Sequence, residues 1–199
     1  AQPPPRLVQV TSYLRQEMYP TFSPDGTQVA FAWNGETRDN FDIYVKLIGG
    51  SGPPLRLTTD PAFDGFPAWS PDGRQIAFRR RARAAGSAGT SQSGAAVMVM
   101  PALGGPERKV ADVPVPPLTG LSWTPDGRWL ATPATDPAGG NGIFLFPVDQ
   151  GEKRRLTSNP LYADGWPAPS PDGRFLAYAS CVSATDSAWP CASRCGAEF

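Results

Sequence analysis

Glu17, Asp64 and Asp164 each stand six residues ahead of a Ser-Pro-Asp-Gly segment, and each leads into an aromatic-proline step: Tyr19-Pro20, Phe66-Pro67 and Trp166-Pro167. Carboxylates that recur at a fixed offset suit two kinds of chemistry. A ring of them can hold calcium, which takes about six to eight oxygen ligands, or receive a basic partner. A pair facing across a channel, such as Asp64 and Asp164, has the residue types of a carboxylate-dependent hydrolase. Because the acid recurs with its repeat, the preferred reading is structural, each acid capping its own loop by accepting backbone N–H bonds. Leu118 holds the corresponding place in the third unit and breaks the series.

A second cluster is basic. Arg79, Arg80, Arg81 and Arg83 fall within five positions and open a segment running to Gly94 that is rich in Ala, Gly, Ser, Thr and Gln. Guanidinium groups this dense can meet phosphate or carboxylate, and a loop on a rigid scaffold is a common place for binding. The blander reading is a solvated loop partly neutralised by the acids. Of the tryptophans, Trp69 and Trp123 immediately precede turns and read as packing residues. Trp166 is balanced between packing and a contact surface.

Several chemistries are excluded by composition. The chain of 199 residues contains no histidine, so it holds neither a Ser-His-Asp nor a Cys-His nucleophile nor a His-ligated zinc site. No Gly-x-Ser-x-Gly elbow occurs. Lys+Arg and Asp+Glu both number 18, so charge gives no argument for nucleic acid or an anionic membrane as partner. No apolar run is long enough to span a bilayer.

These residues are positioned by a repeat. Ser/Thr-Pro-Asp-Gly occurs four times, with its aspartates at 25, 72, 126 and 172, a near-constant period that marks a propeller or solenoid. Pro at the second place presets a type I turn, and Gly at the fourth takes the left-handed conformation that turns the chain back. After each turn a large residue alternates with Ala, as in Val29-Ala30-Phe31 and Ile76-Ala77-Phe78. That period of two is a strand. A short strand precedes each turn, a third follows in Ile43 to Leu47, Val97 to Met100 and Ile143 to Phe146, and a fourth in Leu55 to Thr58, Arg108 to Val110 and Arg154 to Thr157. Four antiparallel strands in about 45 residues make one propeller blade. The expected fold is all-β, a β-propeller of about four blades: residues 17–60, 61–113, 114–160, and 161–180 with the tail. High Gly and Pro content (21 and 24 residues) fits short strands joined by turns. The 79–94 insertion accounts for the longest repeat spacing and falls on the same face as the acids.

The ends depart from the repeat. Residues 6–12 match a fourth strand, since Val10 precedes Pro20 by the interval that separates Leu57 from Pro67. An outer strand at the start of a chain completes the last blade of a closed ring. The Ala-Gln start is compatible with removal of a secretory signal or with an arbitrary boundary. Cys181, Cys191 and Cys195 are odd in number, so at most one internal pair forms, Cys181 with Cys191 or Cys195; free thiols are the preferred reading. Residues 181–199 show no alternation and read as an irregular Cys-containing tail, preferably one foreign to the fold.

Aromatic-Ser-Pro-Asp-Gly-x-x-(Val/Ile/Leu)-Ala-(Phe/Tyr), followed by a strand and Arg-x-Leu-Thr, resembles the TolB-type, WD-repeat-like β-propeller repeat over residues 6–179. The resemblance implies a bacterial, periplasmic or otherwise extracytoplasmic scaffold that binds a protein or small ligand without catalysing a reaction. It equally covers the propellers of prolyl-oligopeptidase-type peptidases, so a gating domain separated from its catalytic partner is the alternative. No cofactor is expected, calcium at the acids being the one candidate. The binding-face candidates are Glu17, Asp64, Asp164, Trp166, Arg79, Arg80, Arg81 and Arg83. An array of this length exposes a sheet face at each end. It hides them by closing as a small ring, by pairing with a second copy, or by contact with further sequence. The unconvincing third strand of the last blade favours a homodimer.

Overall fold

In a computed structural model, residues 7–36, 40–81, 94–113, 120–136, 140–158, 162–182 and 191–198 are described. These residues are all-β, with no helix among them. Blade 1 is β1 (Glu17–Phe22), β2 (Gln28–Trp33), β3 (Asp42–Leu47) and β4 (Leu55–Arg56). Blade 2 is β5 (Phe63–Trp69), β6 (Gln75–Arg81), β7 (Ala95–Pro101) and β8 (Arg108–Val113). Blade 3 is β9 (Ser122–Trp123), β10 (Trp129–Thr135), β11 (Asn141–Pro147) and β12 (Arg154–Arg155). Blade 4 has three strands, β13 (Tyr162–Pro169), β14 (Phe175–Val182) and β15 (Cys191–Glu198). Each sheet is an antiparallel meander in chain order.

The turns show why Ser-Pro-Asp-Gly recurs. The Ser or Thr hydroxyl donates to the Asp carboxylate at 2.5–2.6 Å and accepts the N–H of the residue five places on, Gln28, Gln75, Trp129 or Phe175. The glycines sit at φ 69–71°, the left-handed region where a Cβ costs energy.

Blades stack by a size rule. Ala30 and Ala32 of blade 1, with Ile43 and Val45, receive Ile76, Phe78, Met98 and Met100 of blade 2. Ala77 and Val97 of blade 2 receive Trp123, Leu130 and Phe144 of blade 3, and Ala131 and Ile143 of blade 3 receive Leu176 of blade 4. Small residues on one face let the large residues of the next blade approach closely, so the alternation of large residues with Ala serves both faces. Trp69 and Trp123 are buried in these cores. Extensive strand packing runs from blade 1 to 2, 2 to 3 and 3 to 4, with none comparable between blades 4 and 1 among the described residues.

Two expectations about the ends are corrected. Residues 7–12 form no strand and do not complete blade 4; they lie against blade 1, where Val10 and Tyr13 pack on Val29, Phe31, Trp33 and Tyr44. Residues 191–198 are not an irregular tail but the third strand of blade 4, with Tyr178 opposite Arg194 and Cys181 opposite Cys191. Ladder pairing is a backbone interaction, so a stretch of small residues can form it without the apolar alternation by which strands are recognised in sequence.

Candidate functional site

Three of the four inner strands carry a bulge. The β1–β2, β5–β6 and β13–β14 ladders shift register between Met18 and Thr21, Gly65 and Ala68, and Gly165 and Ala168. The residues inside the shift are Tyr19-Pro20, Phe66-Pro67 and Trp166-Pro167. Proline has no N–H to give the ladder, and a bulge is where a strand tolerates that loss. The aromatic before it takes positive φ, at 57° for Tyr19, 56° for Phe66 and 49° for Trp166. Bulky residues rarely occupy this region, and such strain clusters where function needs a side chain aimed.

These aromatics line a groove of about 530 Å³ formed by the inner strands of all four blades, together with Trp69, Trp123 and Gly120. Trp166 is 49% exposed and Tyr19 37%. The rings of Tyr19 and Phe66 stack with centroids 3.8 Å apart. The third unit places Gly120 at the position of the aromatic, at φ 127°, and a Cβ there would come within 2.8 Å of the Trp166 Cα. The collar therefore has three rings and one gap that the neighbouring backbone fills.

The acids do something else. Asp64 and Asp164 are buried, with 0% and 2% exposure, so they do not rim the mouth as free charges. Thr157 donates to Asp164 at 2.5 Å and Ser180 donates at 2.7 Å. Thr157 closes blade 3 and Asp164 opens blade 4, so this is a latch across a blade junction. Thr58 stands at the equivalent place: its hydroxyl favours the Asp64 carboxylate across the junction and donates at 3.3 Å to Asp42 of its own blade. Both threonine hydroxyls also accept the N–H of an isoleucine on the third strand, Ile43 or Ile143, at 2.9 Å. The Arg-Leu-Thr that ends blades 1 and 3 thus becomes intelligible. Arg56 and Arg155 bond the carbonyl of the threonine, Leu57 and Leu156 pack on the cores, and the threonine reaches the next blade. At Asp64 and Asp164 side-chain bonds take the place of the expected loop caps, whereas Glu17 accepts a backbone N–H of its own loop, that of Tyr13 at 3.2 Å.

Asp64 carries the densest electrostatics. Arg80 grips it with Nε at 2.8 Å and Nη2 at 2.7 Å, and also binds Glu107. Burial pushes the Asp64 carboxyl up to about 6, and the Arg80 fork opposes that rise and keeps it ionised at neutral pH. Burial also works against the Arg80 charge, but the two carboxylates outweigh it and hold the guanidinium above its ordinary value.

The other basic candidates separate by strand alternation. Arg79 points to the opposite face from Arg80, is 3% exposed between blades 2 and 3, and lies 3.4 Å from the Thr132 hydroxyl. Burial pulls it down to about 10. Arg81 is exposed and lies over the Phe63 ring at 5.3 Å. Arg83 and Leu118 lie outside the described residues. Glu17 stands apart, bonded to Thr11 and to the Tyr13 N–H. The structure therefore joins Asp64 with Arg80 and leaves the remaining candidates on separate contacts. No group of three or more Asp, Glu, Cys or His side chains is arranged to hold a metal among the described residues.

Tyr19 and Phe66 are missing from the sequence-derived candidates, although the repeated aromatic-proline step marked them. Thr11, Thr58 and Thr157 are missing as well; the signal for Thr58 and Thr157 was the threonine that ends Arg-Leu-Thr, and for Thr11 the match of residues 6–12 to that strand.

No protein-family model matches the chain, and no curated protein matches it in sequence. Solved structures do. TolB from Acinetobacter baumannii aligns with 93% of this chain and 42% of its own, at 20% identity and TM-score 0.70. A putative TolB from Agrobacterium tumefaciens aligns with 83% of this chain and 55% of its own, at 25% identity and TM-score 0.64. One of two prolyl endopeptidases aligns with 83% of this chain and 26% of its own, at 18% identity and TM-score 0.59. The chain thus spans about half the length of the TolB structures. With four blades, three bulged inner strands and these likenesses together, the chain has the TolB-type β-propeller fold.

Proposed function

We propose that the chain is a non-enzymatic propeller scaffold, acting outside the cytoplasm, that binds a protein partner through the aromatic mouth of its axial groove. The observation that carries this reading is the trio Tyr19, Phe66 and Trp166, each held at positive φ beside a proline and aimed into the groove. Strain repeated at equivalent positions of three blades is costly to the fold. It is accounted for if the rings form a contact surface. Aromatic side chains supply large apolar area with few rotatable bonds, which suits binding. The extracytoplasmic setting rests on the likeness to TolB alone.

Panning a random linear peptide library on the folded chain tests the mouth, with counter-screening on a Tyr19→Ala/Trp166→Ala double variant. Peptides that lose about tenfold or more in affinity on the double variant, roughly 1.4 kcal/mol, support the proposal. A set that binds both proteins alike overturns it.

The likeness to a prolyl endopeptidase favours a second reading, a propeller that gates a catalytic domain. The gene decides between them. Continuation into a hydrolase domain with a Gly-x-Ser-x-Gly elbow would replace the scaffold reading with the gating one.

A further inference from the structure

The N-terminal arm repeats, against blade 1, the latch that joins one blade to the next. Thr11 donates to Glu17 as Thr157 donates to Asp164. Val10 packs on the blade 1 core as Leu57 and Leu156 pack on theirs. The arm is held further by the Trp33 indole N–H on the Leu14 carbonyl at 3.1 Å and by stacking of Tyr13 on Trp33 with centroids 5.0 Å apart. Gln9, Val10 and Thr11 therefore occupy the place of Arg56, Leu57 and Thr58: the outer strand of a blade preceding blade 1. Yet residues 7–12 pair with no strand, and Leu7 and Val8 are exposed, Val8 at 67%. At the opposite end of the array, blade 4 has three strands, and no fourth pairs with β15 among the described residues. An unpaired outer strand and an unpaired edge are complementary.

We propose that the arm of one copy of this chain adds to β15 of a second copy, each chain giving its arm to the other so that two four-blade arrays close one ring. The occupant is a second copy because the arm is fixed to blade 1, and among the described residues no strand packing comparable to that between successive blades joins blade 1 to blade 4 of the same chain. Twofold symmetry satisfies both arms at once and leaves no free edge.

The register follows from the complete blades. Tyr44 pairs with Arg56 and Phe144 with Arg155; Val45 pairs with Leu55 and Leu145 with Arg154. Arg194 is opposite Tyr178 as Tyr44 is opposite Phe31 and Phe144 opposite Thr132. Arg194 then faces Gln9 of the other copy, Cys195 faces Val8, and the Ser193 N–H reaches Thr11 as Ile43 and Ile143 reach Thr58 and Thr157.

Light scattering on the 199-residue chain at micromolar concentration should give twice the chain mass of 21.2 kDa; a single-chain mass overturns the proposal. In a Cys181→Ser/Cys191→Ser background, Val8→Cys should form a disulfide with Cys195 under mild oxidation, because directly opposed residues on neighbouring strands lie within bridging distance. The product should run as a covalent dimer and vanish when Cys195→Ser is added. A bond closed within one chain overturns the second copy as occupant. Failure to bond, or a dimer that survives Cys195→Ser, overturns the register. Removing residues 1–8 leaves the Thr11 latch in place and should weaken association by at least about tenfold, the equivalent of roughly 1.4 kcal/mol; unchanged association counts against the arm.

Discussion

Thr58 and Thr157 each accept an isoleucine N–H and stand beside an acid of the next blade, Thr157 donating to Asp164 and Thr58 favouring the Asp64 carboxylate. Replacing either with Val keeps the shape, leaves a buried isoleucine N–H unsatisfied, and takes one polar neighbour from an acid that keeps Arg80 or Ser180. A loss of about 1–3 kcal/mol per site is expected from denaturant unfolding, against almost none for the exposed Thr27→Val. Equal effects at the three positions would remove the latch from the account. Asp64 gives a pH signature. Its ordinary value is 3.8 and its folded value about 6, so between those limits the folded chain binds a proton that the unfolded chain has released. Stability from this group is therefore greatest at the acid end and falls as pH rises through about 6. Asp25, Asp72 and Asp172 run the other way: seryl hydroxyls hold them below 3.8, and their contribution is lost as pH falls through their folded values. Asp64→Asn should remove the descending part, so that the denaturant midpoint rises more, or falls less, with pH over that window. Parallel profiles for the two proteins would contradict this assignment.

At the scale of the element, the inner strand carries the most conformational information. Gly120 occupies the place of Tyr19, Phe66 and Trp166, and a methyl group there meets the Trp166 Cα and the Pro167 ring. Gly120→Ala should lower stability by roughly 2 kcal/mol or more, combining left-handed strain with overpacking. Gly26→Ala meets open space and should cost only about 1 kcal/mol. Similar costs at both sites would mean that the third inner strand does not depend on its neighbour. The β6–β7 hairpin offers a contrasting test. Its ladder already runs to Arg81 opposite Ala95. Replacing residues 83–93 with a short Gly-containing turn should leave cooperative unfolding intact, because loop-closure cost changes slowly with length. Loss of the cooperative transition would assign the segment a structural role.

For the whole molecule, the absence of histidine and of an elbow serine in the sequence bears on catalysis. Purified chain should turn over neither activated esters nor chromogenic peptides. Hydrolysis abolished by Asp64→Asn or Asp164→Asn would revive the carboxylate-dyad reading and displace the scaffold. The stacking of blades sets a gradient at the same scale. Each interior blade is clasped on both faces, whereas the outward face of blade 4 shows Phe175 at 46% exposure. Exposed apolar surface at an array end is the feature that drives repeat proteins to cap, close or associate.

The repeat itself was legible because its determinants are local. Pro and Gly at the turns, and the alternation of Val29-Ala30-Phe31 or Leu176-Ala177-Tyr178, dictate hairpins and two-sided burial whatever the surroundings. The outer-strand character of residues 9–11 was legible for the same reason. What those residues bond to was decided only by the tertiary structure. Asp64 and Asp164 looked like an accessible ring because sequence offset reports position along a strand and not depth. Burial arises when a threonine from the preceding blade arrives beside them. Arg79 and Arg80, neighbours in sequence, separate to opposite faces, one into a blade junction and the other into an ion-pair fork. The strand at 191–198 was illegible because its pairing uses main-chain groups that every residue shares. The aromatic collar required both levels. The aromatic-proline step is local, but its convergence on one groove comes from the rotation that stacks each blade on the last.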